Sequence, residues 1–132
     1  MGIISKNMRI TILVSSTAFF LFAFMYLILT DLYLTMMEWP YDDPYYPRAF
    51  GINLLILGTF LLISYFRNEW LQAKILIEIV IIWAFLTLIA NLIEINILTL
   101  PIGVIVATWN NTIILIVLVI VLLYFYLEEI KR

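Results

Sequence analysis

Four long apolar runs, each ended by polar or charged residues, restrict this chain to one kind of fold. They are Ile10–Leu29, Ala49–Phe66, Ile75–Ile93 and Trp109–Leu127. Each holds about 20 residues, which at about 1.5 Å per residue matches the ~30 Å hydrocarbon core of a bilayer. Hydrocarbon offers the backbone no hydrogen-bond partner, so every N–H and C=O there is satisfied within a helix. The fold expected is an all-α membrane protein, a four-transmembrane-helix up-down-up-down bundle. Residues 1–132 form a single transmembrane domain. No stretch outside the runs reaches the ~50 residues of an independent domain. The runs also explain why 66% of the residues are hydrophobic and only 12% charged.

A signal peptide is the competing reading of the first run. Cleavage near Ser16-Thr17-Ala18 would leave only Ile10–Val14 as its apolar part. That is too short for such a peptide, and the apolar run continues beyond it, so a transmembrane helix is expected.

Residues 30–47 read as an outer loop. It carries Asp31, Glu38, Asp42 and Asp43, with Pro40, Pro44 and Pro47. Tyr33, Trp39, Tyr41, Tyr45 and Tyr46 suit the water–lipid boundary, where an apolar ring carries a polar tip. A short helix is expected near Leu32–Met37, and Pro47 fits the first turn of the next helix, where its missing N–H costs nothing. Residues 67–74 make a tight polar connection. Residues 94–108 form the second outer loop. Pro101 and Gly103 leave open whether 95–107 is re-entrant, interfacial or part of a helix.

Basic residues give the orientation. With four crossings, six of the seven (Lys6, Arg9, Arg67, Lys74, Lys131, Arg132) fall on one side, and only Arg48 on the other. Basic residues are retained in the cytoplasm, so both termini are expected inside. The isoleucine-rich, cysteine-free composition points to the plasma membrane of a prokaryote.

The chain has no cysteine and no histidine. A disulfide, a thiol nucleophile, a thiolate metal site and bis-histidine haem ligation are thereby excluded. No cofactor and no metal is expected, and no basic stripe suits nucleic acid. The acids Glu38, Asp42 and Asp43 lack the spacing of a calcium loop and read as a solvated acidic loop. Asn110-Asn111-Thr112 matches a glycosylation acceptor, but lies too near the membrane for ready access.

Charges close to hydrocarbon are costly, so each needs a reason. Arg48 opens the second run and Glu94 closes the third. Asn53 lies about 7 Å deeper than Arg48, and Asn91 one turn inward from Glu94. Asp31 closes the first run. Together Asp31, Arg48, Asn53, Asn91 and Glu94 form the candidate polar or ligand-binding site, with Arg48 paired to Glu94 or Asp31. The alternative is that Arg48 and Glu94 are boundary charges reaching water, with the asparagines bonded between helices. Glu78 is a candidate intramembrane carboxylate, of the type a proton-coupled transporter uses. Lys74, four residues earlier on the same face, offers it a plain ion pair. Gly51 and Gly58, seven apart, share a thin face expected to pack against Ala84, Thr87 and Ala90 or Asn91 of the third helix.

Tyr46-Pro47-Arg48-Ala49-Phe50-Gly51, followed by Gly58 and by Arg67 after the helix, resembles the second helix of small four-helix DoxX-like membrane proteins. The likeness covers Asp31 to Glu94 and includes Trp83. It implies a four-helix bundle, with Arg48 and Gly51 as the matching positions. Some DoxX-like proteins are subunits of quinone-linked oxidoreductases.

Three readings of function follow. The leading one is a non-catalytic accessory or interaction subunit, whose partners are membrane lipids and another membrane protein or itself. The second is a small homo-oligomeric transporter or channel, with Glu78, or Arg48 and Glu94, lining its path. The third is a lipid- or quinone-binding protein with an outward pocket of several hundred Å³ near Arg48, Asn53 and Trp83.

Overall fold

The computed structural model describes residues 2–40 and 44–132. The chain runs through α1 (Lys6–Leu27), α2 (Thr30–Met36), α3 (Tyr45–Arg67), α4 (Trp70–Ile97) and α5 (Ile102–Lys131). All but α2 are long and apolar enough to cross a membrane, which fits a multi-pass membrane protein. The short helix α2 lies where the outer loop was expected to carry one. Tyr41, Asp42 and Asp43, and with them the calcium reading, lie outside the described residues.

The long helices overrun the apolar runs. Helix α1 starts at Lys6 rather than Ile10, α3 at Tyr45 rather than Ala49, and α4 covers 70–97 rather than 75–93. The backbone ladder continues where hydrophobicity has already ended, so a polar flank does not end a helix. The largest difference concerns 95–107. Helix α4 runs on to Ile97, and α5 begins at Ile102 rather than Trp109. The break is short because Pro101, with no N–H of its own, sits directly before α5 while its carbonyl accepts from Ile105 N–H at 3.1 Å. The 28 residues of α4 and 30 of α5 reach about 42 and 45 Å, well beyond a ~30 Å hydrocarbon layer.

The long helices form a ring in which α1 meets α3 and α5, and α4 meets α3 and α5. The closest pair is α1 with α3. A Cβ on Gly51 would stand 2.8 Å from Tyr26 Cβ, and one on Gly58 3.2 Å from the Phe20 ring. Helix α1 also buries Ser15, Ser16 and Ala23. The Ser16 hydroxyl donates to the Gly58 carbonyl at 2.8 Å. The glycine face therefore packs on α1 and not, as expected, on the third long helix. Both neighbours offer small residues, but α1 adds a hydroxyl at the depth of the Gly58 carbonyl. Ala84 instead packs with Leu115 and Val119 of α5.

One end of the ring is tied by backbone bonds. Ile4 N–H donates to Asn68 O, and Trp70 N–H to Gly2 O, both at 3.2 Å. Asn68 turns α3 into α4 with φ 55°, a left-handed conformation that asparagine tolerates better than most residues. The core nearest this end includes Ile4, Met8, Ile12, Leu61, Ala73, Ile77 and Leu122, all at 3% exposure or less.

Candidate functional site

Among the described residues the five residues of the expected polar site make no ion pair with one another. Asp31 is exposed in the first turn of α2, Arg48 in the first turn of α3, and Glu94 near the end of α4. Among the described residues the ion pairs are Lys74–Glu78 and Glu129–Arg132, so Arg48 pairs with neither Glu94 nor Asp31. Its side chain is exposed on α3. Asn53 faces outward from α3. Asn91 alone makes a contact between long helices, donating to the Thr112 hydroxyl at 3.2 Å.

Glu78 is engaged on both sides. Lys74 Nζ stands 3.8 Å from its carboxylate, and the Tyr126 hydroxyl donates to the same oxygen. The i,i+4 spacing brings in the first partner, and the crossing of α5 over α4 supplies the second.

The polar groups that do converge are Tyr26 of α1, Tyr33 of α2 and Asn111 of α5. The Asn111 amide donates to the Tyr26 hydroxyl at 2.9 Å and to the Tyr33 hydroxyl at 3.5 Å, and the two hydroxyls lie 3.2 Å apart. Aromatic contacts hold the phenols in place. Tyr26 meets Tyr33 edge-on at 4.9 Å between ring centres and Phe50 at 5.1 Å, while Trp83 lies 5.8 Å from Phe50 and 6.2 Å from Phe19. Such pairs contribute about 0.5–1.5 kcal/mol each beyond the area they bury.

Two adjoining spaces border this cluster. A small cavity of about 40 Å³ lies inside the ring, among Tyr26, Phe50, Trp83, Asn91 and Asn111. A wider cleft of about 430 Å³ opens beside it between α1, α2 and α5. Phe22, Asn111 and Ile114 line both spaces. The cleft walls include Met25, Met36 and Met37, flexible thioethers that adapt to irregular apolar shapes. Its polar side chains are Tyr33, Asn110 and Asn111. At the foot of α5 the chain comes so close to α2 that a Cβ on Gly103 would meet the Met37 carbonyl oxygen at 2.6 Å. This contact sets one end of the cleft.

The arrangement offers amides and phenols as neutral donors and acceptors. Among the described residues no group of His, Cys, Asp or Glu is placed to hold a metal ion. Of the residues singled out from sequence, Trp83 and Asn91 line the small cavity, while Arg48, Asn53 and Glu94 line neither space. Tyr26, Tyr33 and Phe50 carry no sequence pattern that marks them as site residues. A signal was available in Thr108, Asn111 and Thr112, whose i, i+3, i+4 spacing puts three polar groups on one face of an apolar helix. The glycosylation reading fell on the same stretch, where Thr112 is buried.

No protein-family model matches the chain, and no curated protein and no solved structure does either.

Proposed function

We propose that the protein is a non-catalytic membrane protein that holds an apolar molecule with a neutral polar head, of the lipid or quinone class, between α1, α2 and α5. The cleft of about 430 Å³ carries this reading, because its apolar walls end at three hydrogen-bonding side chains, Tyr33, Asn110 and Asn111. Ligand sites have this composition, with apolar walls for affinity and a few polar groups for orientation. An amide N–H would donate to a head carbonyl, and the methionines would adapt to the tail. Gentle extraction followed by native mass spectrometry and solvent extraction tests the reading. A small apolar mass should accompany the protein and fall about tenfold in the Asn110→Leu and Ala107→Phe variants, given that a lost hydrogen bond or a filled pocket costs roughly 1–3 kcal/mol. Retention of the same mass by both variants would overturn it.

A second reading, an interaction subunit of a membrane assembly, is favoured by Asn53. Its amide is exposed on α3 about 7 Å below Arg48, at a depth where an unpaired polar group is costly. A neighbouring helix, from another membrane protein or a second copy, would satisfy it. The chain has no cysteine, so Asn53→Cys gives a single crosslinking handle. A crosslinked adduct in native membranes supports this reading, and an uncrosslinked monomer removes it.

The bundle we propose is up-down-up-down with both termini in the cytoplasm of a prokaryotic cell. The excess of basic residues at one end supports this. So do the bonds that join Gly2 and Ile4 to Asn68 and Trp70, and Ser5 to Glu129, at that end.

A further inference from the structure

At the end of the molecule opposite the cleft, a groove of about 300 Å³ runs between α1 and α3, lined by Ile4, Lys6, Arg9, Ile10, Leu13 and Tyr65. We infer that it binds the phosphate headgroup of an anionic phospholipid, with one acyl chain laid along Ile10 and Leu13.

Three observations carry this. First, the two cations lack counter-charges. Lys74 and Arg132 at the same end are neutralised by Glu78 and Glu129, but among the described residues no carboxylate lies within 4.0 Å of Lys6 or Arg9. Second, Arg9 is pre-positioned. Its guanidinium stands 4.7 Å over the Tyr65 ring, and its buried Nε has no hydrogen-bond partner. The ring fixes the plane of the fork while leaving its terminal N–H groups for a phosphate, which a guanidinium binds through paired hydrogen bonds. Lys6, three residues earlier, lies on the same side of α1. Third, the groove is amphipathic along the helix. Its basic mouth lies in the first turns of α1, and Ile10 and Leu13, 51% and 41% exposed, continue the wall toward the apolar span. Free phosphate would use the mouth alone, whereas a phospholipid uses both parts. Nothing in this site depends on the cleft at the other end.

The test is native mass spectrometry of the whole protein in detergent, titrated separately with phosphatidylglycerol and phosphatidylcholine. One phosphatidylglycerol should remain bound at about tenfold lower concentration than phosphatidylcholine, and Lys6→Gln with Arg9→Gln should abolish that preference, since basic residues near the surface carry the attraction to anionic lipid. Arg67→Gln with Lys131→Gln removes the same charge at the same end and should leave the preference intact. If it erases the preference equally, the effect is diffuse charge and the inference falls. Full displacement of the lipid by millimolar inorganic phosphate would also overturn it, as would equal retention of both lipids by the unaltered protein. Should the Lys6/Arg9 variant not fold, Leu13→Trp decides the matter, because it fills the chain-binding wall and keeps both cations. Loss of the retained lipid then supports the site, and unchanged retention refutes it.

Discussion

The carboxylate of Glu129 accepts the backbone N–H of Ser5, with both oxygens at 3.2 Å. Ser5 is the N-cap of α1, and its own hydroxyl accepts from Met8 N–H at 3.2 Å. In a local capping box, the acid that reaches back to the cap's N–H comes from the third helical position. Here that position is Met8, and the acid comes from α5, 124 residues away. Glu129 is 6% exposed and its charge is balanced by Arg132 at 2.9 Å. One residue thus caps the first helix and ties the last one to it.

Glu129→Ala should therefore destabilise the protein more than its neighbour Glu128→Ala, by about 1–3 kcal/mol, because it leaves a part-buried N–H without its acceptor. Thermal unfolding of the two variants in one detergent gives the comparison. Equal midpoints would show that the bond contributes nothing.

Gly51→Val should loosen the contact between α1 and α3. A Cβ there meets the Cβ of Tyr26 at 2.8 Å, close to the backbone of α1 and unable to swing aside. Overpacking of this kind costs about 1–3 kcal/mol. Gly58→Ala should cost less, since the added methyl is smaller and its nearest neighbours, the Phe20 ring at 3.2 Å and Phe19 Cβ at 3.3 Å, stand farther off. Melting temperatures should order the proteins as unaltered, Gly58→Ala, Gly51→Val.

Asn111→Leu removes the amide donor shared by Tyr26 and Tyr33. Polar contacts inside membrane bundles average about 0.6 kcal/mol, so the fold should survive with a small loss of stability. Retention of an apolar ligand should fall more steeply, because the variant also changes the shared wall of cavity and cleft. Unfolding midpoint and bound mass, measured on one preparation, separate these effects.

Single cysteines at positions 94 and 131 should label from opposite sides of the membrane. The chain contains no other cysteine, so a membrane-impermeant thiol reagent applied to intact cells should reach Glu94→Cys and spare Lys131→Cys. Labelling of both from outside would contradict the proposed crossing pattern.

The helices were easy to read because hydrocarbon length is a property of consecutive residues. The site was harder, because depth along one helix does not reveal which side of it faces a neighbour. Arg48, Asn53, Asn91 and Glu94 were grouped by depth, yet Arg48, Asn53 and Glu94 all lie on exposed faces of their helices. In sequence Ser16 belongs to a cleavage-like triplet, yet in the fold it bonds the backbone of α3. Tyr26 and Asn111, 85 residues apart, share no local pattern that would pair them.

The sequence by itself determined four apolar helices, their approximate limits and the uneven distribution of basic charge, since each follows from hydrophobic length and position along the chain. Only the tertiary structure decided which faces meet. It put Gly51 of α3 on Tyr26 and Leu27 of α1 and Gly58 on Phe19 and Phe20, Glu129 on the cap of α1, and the phenols of α1 and α2 on an amide of α5. Each helix carries small or polar residues on more than one face, so several pairings satisfy its local pattern. The choice among them depends on which faces can close together with their hydrogen bonds made, and that is a property of all the helices at once.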